Sequence, residues 1–247
     1  MIPVLIQAGG EGTRLRPYTM VLPKPLMPIG DLPVVEIVLR QLKHHGFEDI
    51  YVSVGHLAPL LQTFLGDGSK WGLRVRYVTE DRPLGTIGPF RQLPRPTTPT
   101  VVMNGDLLTT LDYSDLCNAH AESGAQLTIG VYNCSVPVSL GVLDIDDEDR
   151  IHGFREKPSL HFWASMGVYV LSPEVWDMIP PGRYFGFDTL MAKVLEGGLS
   201  ARVYRFDGIW LDIGRMEDYA RASEVFSQSR AALLHDEPTN PPPVRRS

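Results

Sequence analysis

Apolar and polar positions divide this chain into two unlike halves. In the first half, short β-rich apolar runs at 4–8, 50–54, 74–78, 100–103 and 126–132 read as strands. Between them, 34–45, 57–65, 86–93 and 114–123 carry the helical period. In the first of these, Val34, Ile37, Val38 and Leu42 share one face, Arg40, Lys43 and His44 turn outward, and Gly46 is the expected stop. In the last, Ser114 is the expected N-cap ahead of Leu116, and Gly124 closes the helix. Strand–helix alternation of this kind predicts a mainly parallel sheet covered on both faces. The second half loses that rhythm. Short strands are predicted at 141–146 and 151–155 around the acidic turn Asp146-Asp147-Glu148-Asp149, then a strand at 164–171, a helix at 188–195 and a last strand at 201–206. These elements are expected to add mixed strands at one sheet edge and to form a lid over a ligand. From Arg230 the composition turns to Pro, charge and little else, so 230–247 is expected to be a disordered tail.

With 43% hydrophobic residues in 247, the chain has ample material for a core. Its formal charge of -6 argues against a nucleic-acid partner, which calls for a basic excess. Cys117 and Cys134 fit no metal or disulfide framework, and a reducing, cytoplasmic setting is expected. The first apolar run is too short for a signal peptide or a membrane span. His56 and His120 read as structural, since neither has a partner arrangement resembling a triad.

Candidate chemistry begins directly behind the first strand, at Ala8-Gly9-Gly10-Glu11-Gly12-Thr13-Arg14-Leu15. A buried strand ending in a glycine-rich turn presents bare backbone N–H groups that can cradle phosphate oxygens. Arg14 adds an always-ionised fork. Ten residues on, Pro23-Lys24-Pro25 holds one lysine between prolines of fixed φ. A stiff lysine facing a glycine nest reads as a nucleoside triphosphate site. The dinucleotide fingerprint fails, because its third small residue is replaced by Leu15, and the Walker pattern fails because Gly12 is followed by Thr13-Arg14. Further on, Asp106 falls just past the fourth strand, where open α/β sheets bind ligands, and Asp212 follows Trp210-Leu211. Two aspartates meeting at one crevice suit Mg²⁺, which takes few carboxylates plus phosphate oxygens.

The glycine loop with Pro23-Lys24-Pro25 resembles the signature of the sugar-1-phosphate nucleotidyltransferases, over about residues 1 to 226. The resemblance implies an α/β Rossmann-like, mainly parallel but mixed sheet sandwiched by helices, of the GT-A-like type; relatives often carry a C-terminal hexapeptide β-helix, and none is expected here. It implies one domain over 1–229, with a nucleotide-binding half (about 1–135) and a sugar-binding half (about 136–229). Arg14 and Lys24 are then the catalytic residues, with Ala8, Gly9, Gly10, Gly12, Thr13, Glu80, Gly85 and Thr86 on the nucleotide. Asn104, Gly141, Glu156, Lys157, Ser165 and Asp188 fall on the sugar phosphate, and Asp106 and Asp212 on Mg²⁺. The run Glu80…Leu84-Gly85-Thr86-x-Gly88 is closest to the mannose-1-phosphate guanylyltransferase branch. A Glu80 carboxylate could accept from guanine N1–H and its 2-amino group together, or could contact the ribose. Ser165 stands where relatives usually carry Asn, which opens the way to an unusual acceptor: a heptose, a cyclitol or phosphocholine. Asp188 reads as a sugar contact or as a helix cap. The expected substrates are an NTP, with GTP favoured over UTP, dTTP, ATP or CTP, and a sugar 1-phosphate, and the protein is a possible homo-oligomer. The rival readings are a GT-A glycosyltransferase, which gives no reason for the Gly-Thr-Arg-Leu loop, and a regulatory paralogue that binds sugar nucleotides without turnover.

Overall fold

The computed structural model describes residues 2–235. The strand β1 (Val4–Gln7) leads through the glycine loop to a small hairpin, β2 (Pro28–Ile29) and β3 (Leu32–Pro33), and then to helix α1 (Val34–His44). The alternation continues with β4 (Asp49–Val54), α2 (Ala58–Leu65), β5 (Arg74–Thr79), β6 (Thr100–Asn104), β7 (Leu107–Thr109) and α3 (Tyr113–Ser123). The second half supplies the long strand β8 (Leu127–Pro137), the hairpin β9 (Val142–Ile145) and β10 (Ile151–Arg155), and the long strand β11 (Ser159–Leu171). It ends with α4 (Pro173–Met178), α5 (Phe187–Glu196), β12 (Ala201–Phe206), β13 (Trp210–Asp212) and α6 (Met216–Leu234).

Seven strands form one mixed sheet in the order β12-β8-β11-β6-β1-β4-β5. β6, β1, β4 and β5 pair in parallel, whereas β11 runs antiparallel to both β6 and β8. The second half therefore extends one edge with mixed strands, as its broken rhythm predicts. Alternation along β1 assigns the two faces. Val4 and Ile6 join the cluster under α1, α2 and α3, while Leu5 joins Val102, Phe90, Leu190 and Val194 on the other side.

Several expectations about local structure are corrected. Residues 86–93 form a short 3-10 turn at Gly88–Gln92, because Pro89 removes a donor and Gly85 bends the entry with φ +79°. The N-cap of α3 is Asp112, whose carboxylate accepts from the backbone N–H of Ser114 at 2.8 Å and of Asp115 at 3.1 Å. β11 begins at Ser159, five residues before 164, because its first half pairs with β8 outside the apolar core. Helix α6 kinks at Ser229, at the boundary expected at 229, and a further helical segment runs from there to Leu234. Leu233 and Leu234 are buried, and the Leu233 carbonyl accepts from Gln41 Nε2 at 2.8 Å. The rest of the expected tail lies outside the described residues.

Candidate active site

The carboxyl ends of β1 and β6 cross closely here: the Gly105 N–H donates to the Gln7 carbonyl at 2.9 Å. A Cβ on Gly105 would sit 2.9 Å from that same oxygen, so glycine is required for the approach. Asp106 emerges at this crossing. Antiparallel pairing of β13 with β7 sets Asp212 opposite Leu107, and the Ile213 N–H donates to the Asp106 carbonyl at 3.1 Å. Two aspartates far apart in sequence thus meet at one crevice. Lys24 enters from its proline-framed turn, pairs closely with Asp106 Oδ2, and stands 4.0 Å from Asp212 Oδ1. The Arg14 guanidinium lies against Gly214, 3.4 Å from where a Cβ would be.

Electrostatically the crevice is poised. Burial and the neighbouring Asp106 push the Asp212 carboxyl above its usual range, against the pull of Lys24 and Arg14. Asp106 Oδ1 is buried without a hydrogen-bond partner. An orphaned carboxylate oxygen beside a second, raised carboxylate is a donor set that suits a small hard cation completed by phosphate oxygens. Among the described residues there is no cluster of three or more metal-binding side chains, so a cation here would take the two carboxylates of Asp106 and Asp212.

The glycine loop is held from behind. Ala8 is buried and donates its N–H to the Ser53 carbonyl at 3.1 Å. Gly12 adopts φ +60°, and its carbonyl accepts from Thr19 Oγ1 at 2.8 Å. Gly10 and Thr13 face outward, with open space beside the Gly10 Cα. His56 fastens the loop at two points. Its N–H donates to the Gly9 carbonyl at 3.2 Å, and Nε2 donates to the Thr19 carbonyl at 3.0 Å. A structural role for His56 is as expected, although no spacing in the sequence signals this brace.

Glu80 sits beside Gly9, whose Cβ would come 2.5 Å from Oε1. Its carboxylate accepts from Ser53 Oγ and from the Leu84 N–H at 2.9 Å, so it also shapes the loop that carries Gly85 and Thr86. That loop is tied to the second half. Thr86 Oγ1 accepts from the Phe187 N–H at 2.9 Å, and a Cβ on Gly85 would meet the Phe185 carbonyl oxygen at 2.8 Å.

On the acceptor side, Asn104 at the end of β6 packs its amide on Gly167, which holds φ +73° where the β8–β11 register shifts. Ser165 Oγ donates to the Tyr169 hydroxyl at 3.2 Å, and the Tyr169 ring stacks on Phe187 at 4.2 Å. Gly141 faces Phe154 and Glu156: a Cβ there would meet the Phe154 ring at 2.7 Å and Glu156 Oε2 at 3.3 Å. Lys157 takes φ +44°, uncommon without glycine, in the turn before Pro158. Glu156 and Lys157 are exposed and form no ion pair among the described residues, so no salt bridge joins them to the Lys24 crevice. Asp188 is exposed in the first turn of α5, and the helix has no side-chain cap. His120 is buried in a structural network, with Nδ1 2.8 Å from Thr128 Oγ1 and Nε2 3.0 Å from Ser172 Oγ.

An open α/β sheet with a glycine nest, a caged lysine and paired aspartates at its carboxyl edge presents the backbone N–H groups and cations that can hold phosphate oxygens. The sequence profile of the Nucleotidyl transferase family matches residues 3–229, and the chain belongs to that family. It is 35% identical over 240 residues to a UTP--glucose-1-phosphate uridylyltransferase of Synechocystis sp., covering 88% of this chain and 61% of the relative. It is 32% identical over 231 residues to a mannose-1-phosphate guanylyltransferase of Mycobacterium tuberculosis, covering 90% of this chain and 64% of the relative. The chain thus spans under two thirds of the length of these relatives. Among solved structures, HddC from Yersinia pseudotuberculosis complexed with GMP-PN superposes with a TM-score of 0.71 at 25% identity, covering 92% of this chain and all of that one.

Proposed function

We propose that this protein transfers a nucleotidyl group from an NTP, with GTP favoured, to a sugar 1-phosphate. A phosphate oxygen of the acceptor attacks the α-phosphorus in line, the bond from that phosphorus to the bridging oxygen breaks, and pyrophosphate leaves with the electron pair. The product is a nucleoside diphosphate sugar. The observation that carries this reading is the convergence of Arg14, Lys24, Asp106 and Asp212 beside the glycine loop.

Bringing two anions together is the main barrier, so positioning and charge neutralisation are the protein's work. The N–H groups of Gly9–Gly12 and Thr13, with Arg14, would hold the β and γ phosphates. Lys24 would carry positive charge to the reacting phosphates, and the crevice around it is too crowded to let that charge wander. Mg²⁺ held by Asp106 and Asp212 would neutralise charge at the α-phosphate. Glu156 and Lys157 would take the sugar hydroxyls and the acceptor phosphate, with Gly141, Asn104, Ser165 and Asp188 around the ring.

Guanine is favoured on the ground that the Glu80 carboxylate lies beside Gly9, where the lone pairs left over from Ser53 Oγ and the Leu84 N–H could accept from one base edge. The HddC complex with GMP-PN supports the same preference. UTP is the second reading, on the strength of the relative named for it. Ser165, a short hydroxyl already engaged by Tyr169, supports an acceptor other than a common hexose as the alternative reading.

The test is pyrophosphate release with Mg²⁺ across four NTPs and a panel of sugar 1-phosphates. Strong turnover in one GTP column is expected. Turnover with UTP alone would overturn the guanine reading but keep the reaction. Nucleotide binding without release in any combination would overturn the reaction itself.

A further inference from the structure

Ser53 is a polar residue buried within β4, at 1% exposure. Its strand neighbours Val52 and Val54 point into the apolar cluster under α1, so the Ser53 side chain turns to the other face, beside Glu80. A hydroxyl taken out of water needs a partner, and this one donates to Glu80 Oε1. The Leu84 N–H donates to the second oxygen, Oε2, at 2.9 Å. One donor on each oxygen fixes the plane of the carboxylate and takes about two of its roughly four acceptor sites. The Ser53 carbonyl accepts from the Ala8 N–H at 3.1 Å, and a Cβ on Gly9 would come 3.4 Å from Ser53 Oγ. One residue thus ties the Glu80 carboxylate to the head of the glycine loop.

We propose that Ser53 is a positioning residue for base discrimination: its hydroxyl holds Glu80 as a fixed, acceptor-only edge beside the glycine loop. The proposal rests on the reading of Glu80 as the group that faces the base. What such an edge selects follows from hydrogen-bond chemistry. Guanine presents N1–H and its 2-amino group side by side, two donors for two oxygens. Uracil and thymine present one N3–H between two carbonyls, and adenine and cytosine present an amino group beside a ring acceptor. Each of these sets an acceptor against the fixed carboxylate, and such repulsion rejects a wrong partner. The rejection requires that the carboxylate not turn. Base and triphosphate are joined through the ribose, so a reader tied to the glycine loop meets the base edge at a set spacing from the phosphates. Without the Ser53 hydroxyl, Oε1 loses its fixed donor. Glu80 is then free to swing and to take the single N3–H of uracil with one oxygen.

The measurement is titration calorimetry of GTP, UTP and inorganic tripolyphosphate with Mg²⁺ and no sugar phosphate, on the parent, Ser53→Ala and Ser53→Cys. The thiol keeps the shape of serine but donates weakly, so the two variants should behave alike. The parent should bind GTP more tightly than UTP. Both variants should lose roughly five- to tenfold of that ratio, the worth of one hydrogen bond, with the affinity for tripolyphosphate unchanged. A ratio kept in Ser53→Ala would overturn the proposal. So would a Ser53→Cys protein that matches the parent while Ser53→Ala does not, because packing and not the hydrogen bond would then set the preference. Equal weakening of all three ligands would also overturn it, since Ser53 would then act on the glycine loop alone. A parent without a preference for GTP would overturn the guanine reading, and the Ser53 assignment would fall with it. A preference that survives substitution overturns the assignment only. Because binding is read without turnover, a failure of the transfer reaction leaves the test intact.

Discussion

The phosphate end of the sheet and the arm formed by β8–β11 are built on opposite principles. At the phosphate end, β1 and β6 are buried through nearly their whole length, and the loop is held through Ala8 by the Ser53 carbonyl and through Gly9 by the His56 N–H. In the arm, β8 passes from buried at Leu127 to exposed at Ser135–Pro137, and the hairpin at its end is exposed except at half-buried Val142 and Gly153. The lesson is a division of labour. Polyphosphate chemistry demands fixed charges at fixed distances, and the proposed phosphate site lies where Lys24 and Asp106 are closely packed. The proposed acceptor site is carried on a part that contributes little to the core.

The largest break in that contrast should come from paired lysine substitutions. Lys24→Ala removes the cation caged by two carboxylates, and turnover should fall at least about a hundredfold with the fold intact. Lys157→Ala removes an exposed cation from the arm. It should chiefly raise the KM for sugar phosphate, by about tenfold, and leave the KM for NTP alone. Steady-state kinetics with both substrates varied decides the matter. Near-parent activity in Lys24→Ala would remove the lysine from the mechanism, and equal damage to both KM values by Lys157→Ala would erase the division. Stability should divide in the same way. Leu5→Ala, in a fully buried position, should cost about 2–5 kcal/mol in urea unfolding of dilute protein. Leu160→Ala, half exposed in the arm, should cost less than about 1 kcal/mol.

The same contrast governs what could be read from the sequence. Most parallel strands of the first half are short, largely buried apolar runs, and β1, β4 and β6 were plain from Val4, Ile50 and Thr100 onward. The glycine loop, Lys24, Asp106 and Asp212 were legible because each stands directly beside such a run or a proline. Helix α6 was not. Its buried residues, Ala222, Phe226, Leu233 and Leu234, are diluted by Ser, Gln and Arg, so the helical period is weak although the helix closes over Leu211 and Ile213. Also hidden were the contacts that join the halves, such as Thr86 with Phe187 and Asn104 with Gly167. They depend on a turn and on a bulge with positive φ, neither of which leaves a periodic trace.

The smallest expected effect concerns what the crevice costs the fold. Burial and Asp106 raise the Asp212 carboxyl above its value in the unfolded chain, so the folded state holds its proton more tightly. Ionised, the group therefore works against folding, and this cost is present above the folded-state pKa and fades as pH falls through it toward the usual carboxylate range near 4. Asp212→Asn should accordingly stabilise the protein at pH 7, and the gain should vanish below about pH 4. The side chain is 44% exposed and shares the field of Lys24, so solvent screening keeps the gain under about 1 kcal/mol, or roughly 1–3 °C in the midpoint. The substitution should abolish turnover while it stabilises. Thermal unfolding at pH 7 and pH 4 separates this from a packing effect, which would be equal at both. A loss of stability at pH 7 would mean that the ion pair with Lys24 outweighs burial, and that the paired aspartates strengthen the phosphate end instead of straining it.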